Sequence, residues 1–407
     1  MDASLLKGRR VIEVGSMLAA PFAAHILAEL GAEVIKIEPP GGDPTRTLVR
    51  GGPSGTLIAY SYGKKSVCMD LSASASRAAF EKLLATADVI VHNLAPASAR
   101  RLRLTYEDCT KAKPDIVYCH IRGYGAGPLE NELASNPVAE ASTGVMESHR
   151  IDGRPSRLGP SYHDQFAGAY AVIGILAALP LPQASPKTHR IEIGLYETGL
   201  HVAARDLAGM QLKSHLLGRP EREPTGEFAM PGYGAYETAD GRWVYLLMLN
   251  DSHWLKFCQT IDLPESSDAS LLKLRDRKKQ KQRVESIVRA AVSSQPFDAI
   301  TRRLAAAGLG FTEVLTLERV LQSPQAQHPG KLNHLQFRGL SFDIPEFPGV
   351  ERDGAEAPPP RELGEDTMDV MRSAGVTAEQ CHALLEAKAI AVVDENAFAW
   401  APVRAKP

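Results

Sequence analysis

The chain has 407 residues, 44% hydrophobic and 23% charged, a globular composition whose length, at about 150 residues per domain, predicts two or three domains. Basic side chains number 46 and acidic ones 48, for a net charge of -2. That balance excludes the basic excess of a dedicated nucleic-acid binder but leaves room for a small polyanion in a local basic pocket. Five dispersed cysteines (Cys68, Cys109, Cys119, Cys258, Cys381) contain no C-x-x-C pair, so neither a disulfide framework nor a zinc site is expected, and reduced thiols in a cytoplasmic setting fit best.

The first ten residues reach Lys7-Gly8-Arg9-Arg10 without the apolar region of a signal peptide. Residues 11–14 read as a strand ending at Gly15, residues 21–30 as an Ala- and Leu-rich helix with Pro21 in its first turn, and residues 34–37 as a second strand after Gly31. Further strands are expected at 66–69, 88–91 and 115–121, with a helix over 73–86. Apolar strands alternating with helices predict an α/β fold, Rossmann-like, whose mainly parallel sheet is covered on both faces. The loop Gly15–Pro21 stands where a dinucleotide fingerprint would be but lacks G-x-G-x-x-G, which argues against a nicotinamide or flavin enzyme.

Residues 164–179 read as a helix that is apolar nearly all round and therefore buried. The longest apolar stretch, 169–181, is interrupted by Gly174 and Pro180 and is too short to span a bilayer. Residues 192–201 are expected to continue as helix, and 219–231 as a Pro-containing crossing. A hairpin over 235–247 turns at Asp240-Gly241. Helices over 252–261, 282–292, 297–307 and 317–322 complete a smaller α+β domain. The basic run 273–283 reads as a solvated segment entering a helix. A Pro-rich crossing at 345–360 precedes helices at 366–373 and 377–388. The expected division is 1–220 for the large domain, 221–343 for the small one, and 344–407 for a return to the large one.

Asp164 opens its apolar helix. On local chemistry alone it reads first as a capping or first-turn carboxylate favoured by the helix dipole, and the alternative is a nucleophilic carboxylate held ionised in a cleft. His163 beside it is expected to be structural, and Tyr162, Gln165 and Glu140 are unranked candidates to face a substrate.

Several separated motifs resemble one family. They are residues 6–14 (LKGRRVIEV), the Ala19-Ala20-Pro21 turn, residues 30–46 (LGAEVIKIEPPGGDPTR), Gly63-Lys64-Lys65-Ser66, Gly123-Tyr124-Gly125, residues 164–179, Thr238-Ala239-Asp240-Gly241 and Gly364-Glu365-Asp366-Thr367. Their order resembles the class III CoA-transferases, the group of formyl-CoA transferase, carnitine CoA-transferase and α-methylacyl-CoA racemase. The resemblance implies that Asp164 is the family's nucleophile, forming first an anhydride and then an aspartyl-CoA thioester. The thioester's activation stays covalent, so the chemistry calls for no ATP and no metal, and CoA serves as a substrate carrier without a tightly bound cofactor. It further implies CoA contacts at Leu18, Ala19, Pro39, Met69, Asn93, Leu94 and Arg101, with Arg46 and Lys65 supporting loop structure. The substrates would be acyl-CoA and a small carboxylic acid, with no nucleic-acid or membrane partner, in an interlocked homodimer.

The chain departs from the family at three places. Leu18 replaces a glutamine amide that helps some relatives, Pro231-Gly232-Tyr233-Gly234 has only two glycines where a glycine-rich lid is usual, and Ser135–Glu140 lacks the His-Asp pair of the racemases. The last favours transfer over racemisation by proton exchange at the α-carbon. A non-catalytic CoA-binding paralogue is the alternative from another class.

Overall fold

The parallel strands form where β-branched residues cluster and both faces can be covered. In the computed structural model, which describes residues 4–49, 52–179, 189–218, 230–350 and 357–393, six of them make one sheet. They are β1 (Arg10–Val14), β2 (Glu33–Glu38), β3 (Lys65–Met69), β4 (Val89–His92), β5 (Val117–Arg122) and β6 (Arg190–Gly194). Their spatial order is β3-β2-β1-β4-β5-β6, all parallel, and a short antiparallel strand, Ile390–Ala391, closes the edge at β3. Chain direction across the sheet reverses between β1 and β4, and in such sheets ligands bind outside the carboxyl ends of the strands at that switch.

Successive strand residues alternate between two cores. Val11, Val34, Val89 and Cys119 face one layer, built by α1 (Ala19–Glu29) and a later helix, whereas Ile12, Ile35, Ile90 and Tyr118 face the other. After β5 come α2 (Asn136–Ser142), α3 (Tyr162–Ala178), β6 and α4 (Leu195–Val202). The segment expected to be helical over 192–201 thus divides: Arg190–Gly194 is the sheet's sixth strand, recruited by β5, and the helix begins only at Leu195. Helices α1 and α3 pack through small residues (Ala19, Ala20, Ala23, Ala167, Ala171). A Cβ on Gly168 would lie 2.9 Å from both the Ala19 carbonyl oxygen and the Phe22 ring, so only glycine fits this approach.

The chain divides into two compact units, Met1–Glu221 with His328–Pro407, and Arg222–Gln327. The smaller unit holds a three-stranded antiparallel sheet (Gly234–Glu237, Trp243–Leu246, Phe311–Glu313) on a core around Trp254, Phe257 and Val288. It ends at Gln327, earlier than the expected 343. The hairpin Leu332–Phe337/Leu340–Pro345 buries Phe337 against Leu57 and Ile58, and Leu335 against Tyr62, which places it in the larger unit. The crossing expected at 219–231 lies outside the described residues up to 229, as do 351–356 of the later one. Within the basic run, Arg277 is buried, pairs with Asp251 at 3.1 Å and lies over the Trp254 ring. Among the described residues no helix is long and apolar enough to cross a membrane, and no cluster of side chains could hold a metal ion.

Candidate active site

The loop after β1 lies at the switch point, and buried charges fix its shape. Glu13 and Lys36 occupy paired positions on β1 and β2. Lys36 Nζ reaches Glu13 Oε1 at 2.6 Å, Asp43 Oδ2 at 2.9 Å and the Gly15 carbonyl at 3.0 Å. Lys64 Nζ reaches the other Glu13 oxygen at 2.6 Å and the Pro21 carbonyl at 2.8 Å. The two ammonium groups therefore hold both ends of the 15–21 loop through one carboxylate. Three surrounding carboxylates hold the Lys36 pKa above the usual lysine range. Lys64 has Glu13 as its hydrogen-bonded acid and Lys36 close by, and burial pulls its pKa below that range. Asn93, following β4, bridges the loop in both senses: its Oδ1 accepts Ser16 N–H at 3.0 Å and its Nδ2 donates to Ser16 O at 2.9 Å. Met17 takes a left-handed φ of 63° at the bend. Leu18 is the N-cap of α1 and provides no side-chain cap, so among the described residues the first-turn N–H groups of α1 have no side-chain acceptor.

Asp164 stands in the first turn of α3. A crossover helix between parallel strands runs back along the sheet, so its N-terminus lies at the carboxyl edge, the same edge as the β1 loop. Gly168, four residues on and on the same helix face, lies directly against the backbone of α1. The Asp164 carboxylate is partly buried and, among the described residues, makes no ion pair and accepts no hydrogen bond. Burial raises its pKa from 3.8 to about 6. The Arg157 charge works against this rise and the Glu140 charge adds to it.

The N-cap of α3, Ser161, offers no side-chain cap. Asn136 from α2 does so instead, its Oδ1 accepting His163 N–H at 3.0 Å and Asp164 N–H at 3.4 Å. Its Nδ2 donates to Glu140 Oε1 at 2.5 Å. Glu140 is fully buried, accepts Leu158 N–H at 3.3 Å and lies 3.9 Å from Arg157 Nε. His163 turns away from Asp164. The Thr143 hydroxyl donates to the Ala139 carbonyl at 2.7 Å, so His163 Nε2, 3.2 Å away, must be the donor in their contact. Gly199 makes room for this imidazole, since a Cβ there would lie 2.4 Å from Nε2. Burial lowers the His163 pKa, which favours the neutral ring in this packed position.

Of the positions expected to meet CoA, Leu18 and Ala19 open α1, Pro39 follows β2, Met69 ends β3, and Asn93 and Leu94 follow β4; all are at the carboxyl edge. Arg101 is exposed at the end of the helix Pro96–Arg101. Two side chains stand differently from the expectation. Met69 is 1% exposed in the core, which leaves only its backbone to contribute, and the Asn93 amide is committed to Ser16. Arg46 is buried against Glu38 in a two-point contact at 2.6 and 2.7 Å, and Lys65 pairs with Glu33 at 2.6 Å. Both are structural. Gln165 Nε2 donates to Tyr60 OH at 3.1 Å, and Tyr162 is exposed. In the smaller unit, Gly232 N–H is bound to Glu285 and a Cβ there would strike Met248; it sits in a packed turn.

Asn136, Arg157 and the Glu13–Lys36–Lys64 cluster were not singled out from sequence. The last left a signal: one charge at the third place of each apolar run, Val-Ile-Glu-Val (11–14) and Val-Ile-Lys-Ile (34–37).

Comparison with known proteins finds relatives along most of the chain. The chain is 28% identical over 405 residues to succinyl-CoA:glutarate CoA-transferase of Homo sapiens, covering 96% of this chain and 90% of that protein. It is 29% identical to succinate--glutarate CoA-transferase of Agrobacterium fabrum, covering 87% and 88%. Against succinyl-CoA--D-citramalate CoA-transferase of Chloroflexus aurantiacus the identity is 28%, covering 77% and 79%. Among solved structures, a CAIB/BAIF family protein from Brucella suis superposes with a TM-score of 0.77 at 23% identity, over 91% of this chain and 99% of that one. Rv3272 from M. tuberculosis gives 0.76 at 24%, over 90% and 98%; both share the fold. The profile of CoA-transferase family III matches residues 6–367, and the chain belongs to that family.

Proposed function

We propose that this protein moves CoA from an acyl-CoA to a free carboxylate through covalent intermediates on Asp164, and that its substrates are short dicarboxylates of the succinate class. The observation that carries the reading is the Asp164 carboxylate itself: partly buried, unpaired among the described residues, and raised to a pKa of about 6. At neutral pH such a group is still mostly ionised yet more basic than an exposed aspartate, which suits a nucleophile. The names of the relatives, all acting on succinyl-CoA or succinate, support the substrate class.

A carboxylate oxygen of Asp164 attacks the thioester carbonyl, the C–S bond breaks, and CoA thiolate leaves with the electron pair. The thiolate then attacks the Asp164 carbonyl of the mixed anhydride, releasing the first carboxylate and leaving an aspartyl-CoA thioester. The acceptor carboxylate attacks that thioester and expels the thiolate, which closes the cycle by attacking the acceptor's carbonyl and freeing Asp164. Each tetrahedral step places negative charge on oxygen. Leu18 has no amide to meet it, so the uncapped N–H groups at the start of α1 are assigned as donors. CoA lies along the carboxyl edge against Leu18, Ala19, Pro39, Asn93, Leu94 and the Met69 backbone, with Arg101 as the phosphate partner.

The test is incubation with succinyl-CoA and glutarate followed by peptide mass spectrometry. CoA appears on the peptide containing Asp164 and glutaryl-CoA in solution. Exchange without an adduct at Asp164 overturns the nucleophile, and α-hydrogen washout without exchange overturns transfer.

Arg157 has a side chain 47% exposed and its one ion pair among the described residues, to Glu140, is long at 3.9 Å; its charge acts on Asp164. We assign it to the distal carboxylate of the substrate. At pH 8, Arg157→Gln is expected to raise KM about tenfold for glutarate and to leave KM for a monocarboxylate such as butyrate near its starting value. Equal effects on both acceptors remove the assignment. We also propose that two chains interlock. Light scattering is expected to give twice 44.0 kDa, and an active particle of 44.0 kDa contradicts it.

A further inference from the structure

The first turn of α3 begins without help from its own N-cap, yet it carries the reacting group. Unsatisfied N–H groups at a helix start cost stability and let the turn fray. Here the missing acceptor arrives from another helix, 27 residues earlier in sequence. The Asn136 amide has one possible orientation: a carboxylate on one side demands the NH2 group, and two backbone N–H groups on the other demand the oxygen. Glu140 fixes that orientation and is itself held by Leu158 N–H and faced by Arg157.

We infer that Asn136 is a positioning residue for Asp164, and that Glu140 both locks Asn136 and sets the charge field in which Asp164 works. The inference rests on Asp164 being the nucleophile. Two consequences separate it from a plain packing role. First, Asn136 ties the backbone at Asp164, so its loss displaces the carboxylate relative to a bound thioester, and near-attack geometry is sensitive to displacements of about 1 Å. Secondly, the charges acting on Asp164 are Arg157 and Glu140. His163, also within the field of Glu140, is kept neutral by burial. Removing the Glu140 charge alone leaves Arg157 unopposed and favours ionised Asp164 at lower pH.

The experiment compares the pH dependence of kcat/KM for succinyl-CoA in the intact enzyme, Asn136→Ala and Glu140→Gln. Wild-type activity is expected to fall as pH drops through about 6, where Asp164 takes up its proton. Glu140→Gln keeps an oxygen for the Asn136 amide and loses the charge together with the long Leu158 N–H contact, and the loss of charge should move its acid limb to lower pH. Asn136→Ala should lose about tenfold or more in kcat with KM for the thioester changed less than twofold. A packing role predicts lower melting temperatures with neither the limb moved nor kcat changed per folded molecule, and that result overturns the inference. Should Asn136→Ala fail to fold, the acid limb of Glu140→Gln decides alone. Asp164→Asn run in parallel keeps the two ideas apart. If it still transfers CoA, the nucleophile is wrong; if it is dead while both other variants behave as wild type, only the roles of Asn136 and Glu140 fall.

Discussion

Asp164→Asn is expected to be both inactive and more stable than the natural protein. Asparagine has nearly the shape of aspartate but no negative oxygen to attack a thioester, so transfer should fall at least about a thousandfold. Stability moves the other way because the folded carboxylate holds its proton more tightly than the unfolded one, with a pKa raised from 3.8 to about 6. For an acid shifted upwards, folding is not penalised below the unfolded value. The penalty grows as pH rises from 3.8 to about 6 and stays constant above. At about 1.36 kcal/mol per pH unit the gross penalty at pH 7 is about 3 kcal/mol. The helix dipole returns about 0.5 kcal/mol and residual solvent contact screens more, so the net gain from Asp164→Asn should be about 1–2 kcal/mol. The same variant at pH 3.5 should show no gain. Urea denaturation at the two pH values measures this directly. A dead variant that is less stable at pH 7 would make Asp164 a capping residue, and an active one would place the chemistry elsewhere.

Lost activity with gained stability is the signature expected of a site built for chemistry, because a partly buried charge with no ion pair among the described residues weakens the fold and is tolerated where function needs it. The same contrast explains which parts of this protein were legible in its sequence. Strands β1 to β5 follow from runs such as Val-Ile-Glu-Val and Asp-Val-Ile-Val, since a parallel sheet covered on both faces needs little beyond continuous apolar, β-branched residues. Asp164 stands out as an acid heading an otherwise apolar helix, but on local chemistry that fits a helix cap as well, and its reading as a nucleophile comes from the family resemblance. Asn136 does not stand out, since its role depends on a distance closed by tertiary folding, and nothing in Ser-Asn-Pro-Val-Ala-Glu marks which helix start it will cap. Residues 192–194 read as the start of a helix because Arg-Ile-Glu-Ile-Gly fits either period over five residues, and only pairing with β5 makes Arg190–Gly194 a strand. Met69 and Asn93 came from resemblance, which places residues at an edge but does not say whether a side chain points outward, inward or sideways to a neighbouring loop. The hairpin Leu332–Pro345 shows the same limit: its partners, Leu57, Ile58 and Tyr62, lie more than 250 residues away in the chain.

The largest loss of stability is expected from Glu13→Gln, at the centre of the buried charge cluster. Glu13 is fully buried between two ammonium groups, each 2.6 Å from one of its oxygens. Neutralising it leaves Lys36 with Asp43 at 2.9 Å but leaves Lys64 with only the Pro21 carbonyl and the neutral amide. An uncompensated buried charge costs about 3–5 kcal/mol. The deficit should also depend on pH with a definite sign. Burial already draws the Lys64 pKa downward, and losing Glu13 draws it further, so the folded variant sheds the Lys64 proton as pH rises while the unfolded chain keeps it. Its deficit against the natural protein should therefore be greatest in mild acid and narrow towards alkaline pH. Adding Lys64→Met removes the stranded charge at similar volume and should recover most of the lost stability. It should not recover full activity, because the clasp on the Pro21 carbonyl, and with it the set of the loop that starts α1, is gone with the ammonium group. Urea midpoints for the single and double variants, measured beside CoA transfer at a temperature where both are folded, separate the two effects. A loss below about 1 kcal/mol in Glu13→Gln would mean that water reaches the cluster, and full activity in the double variant would mean that the lysine clasp does not shape the catalytic loop.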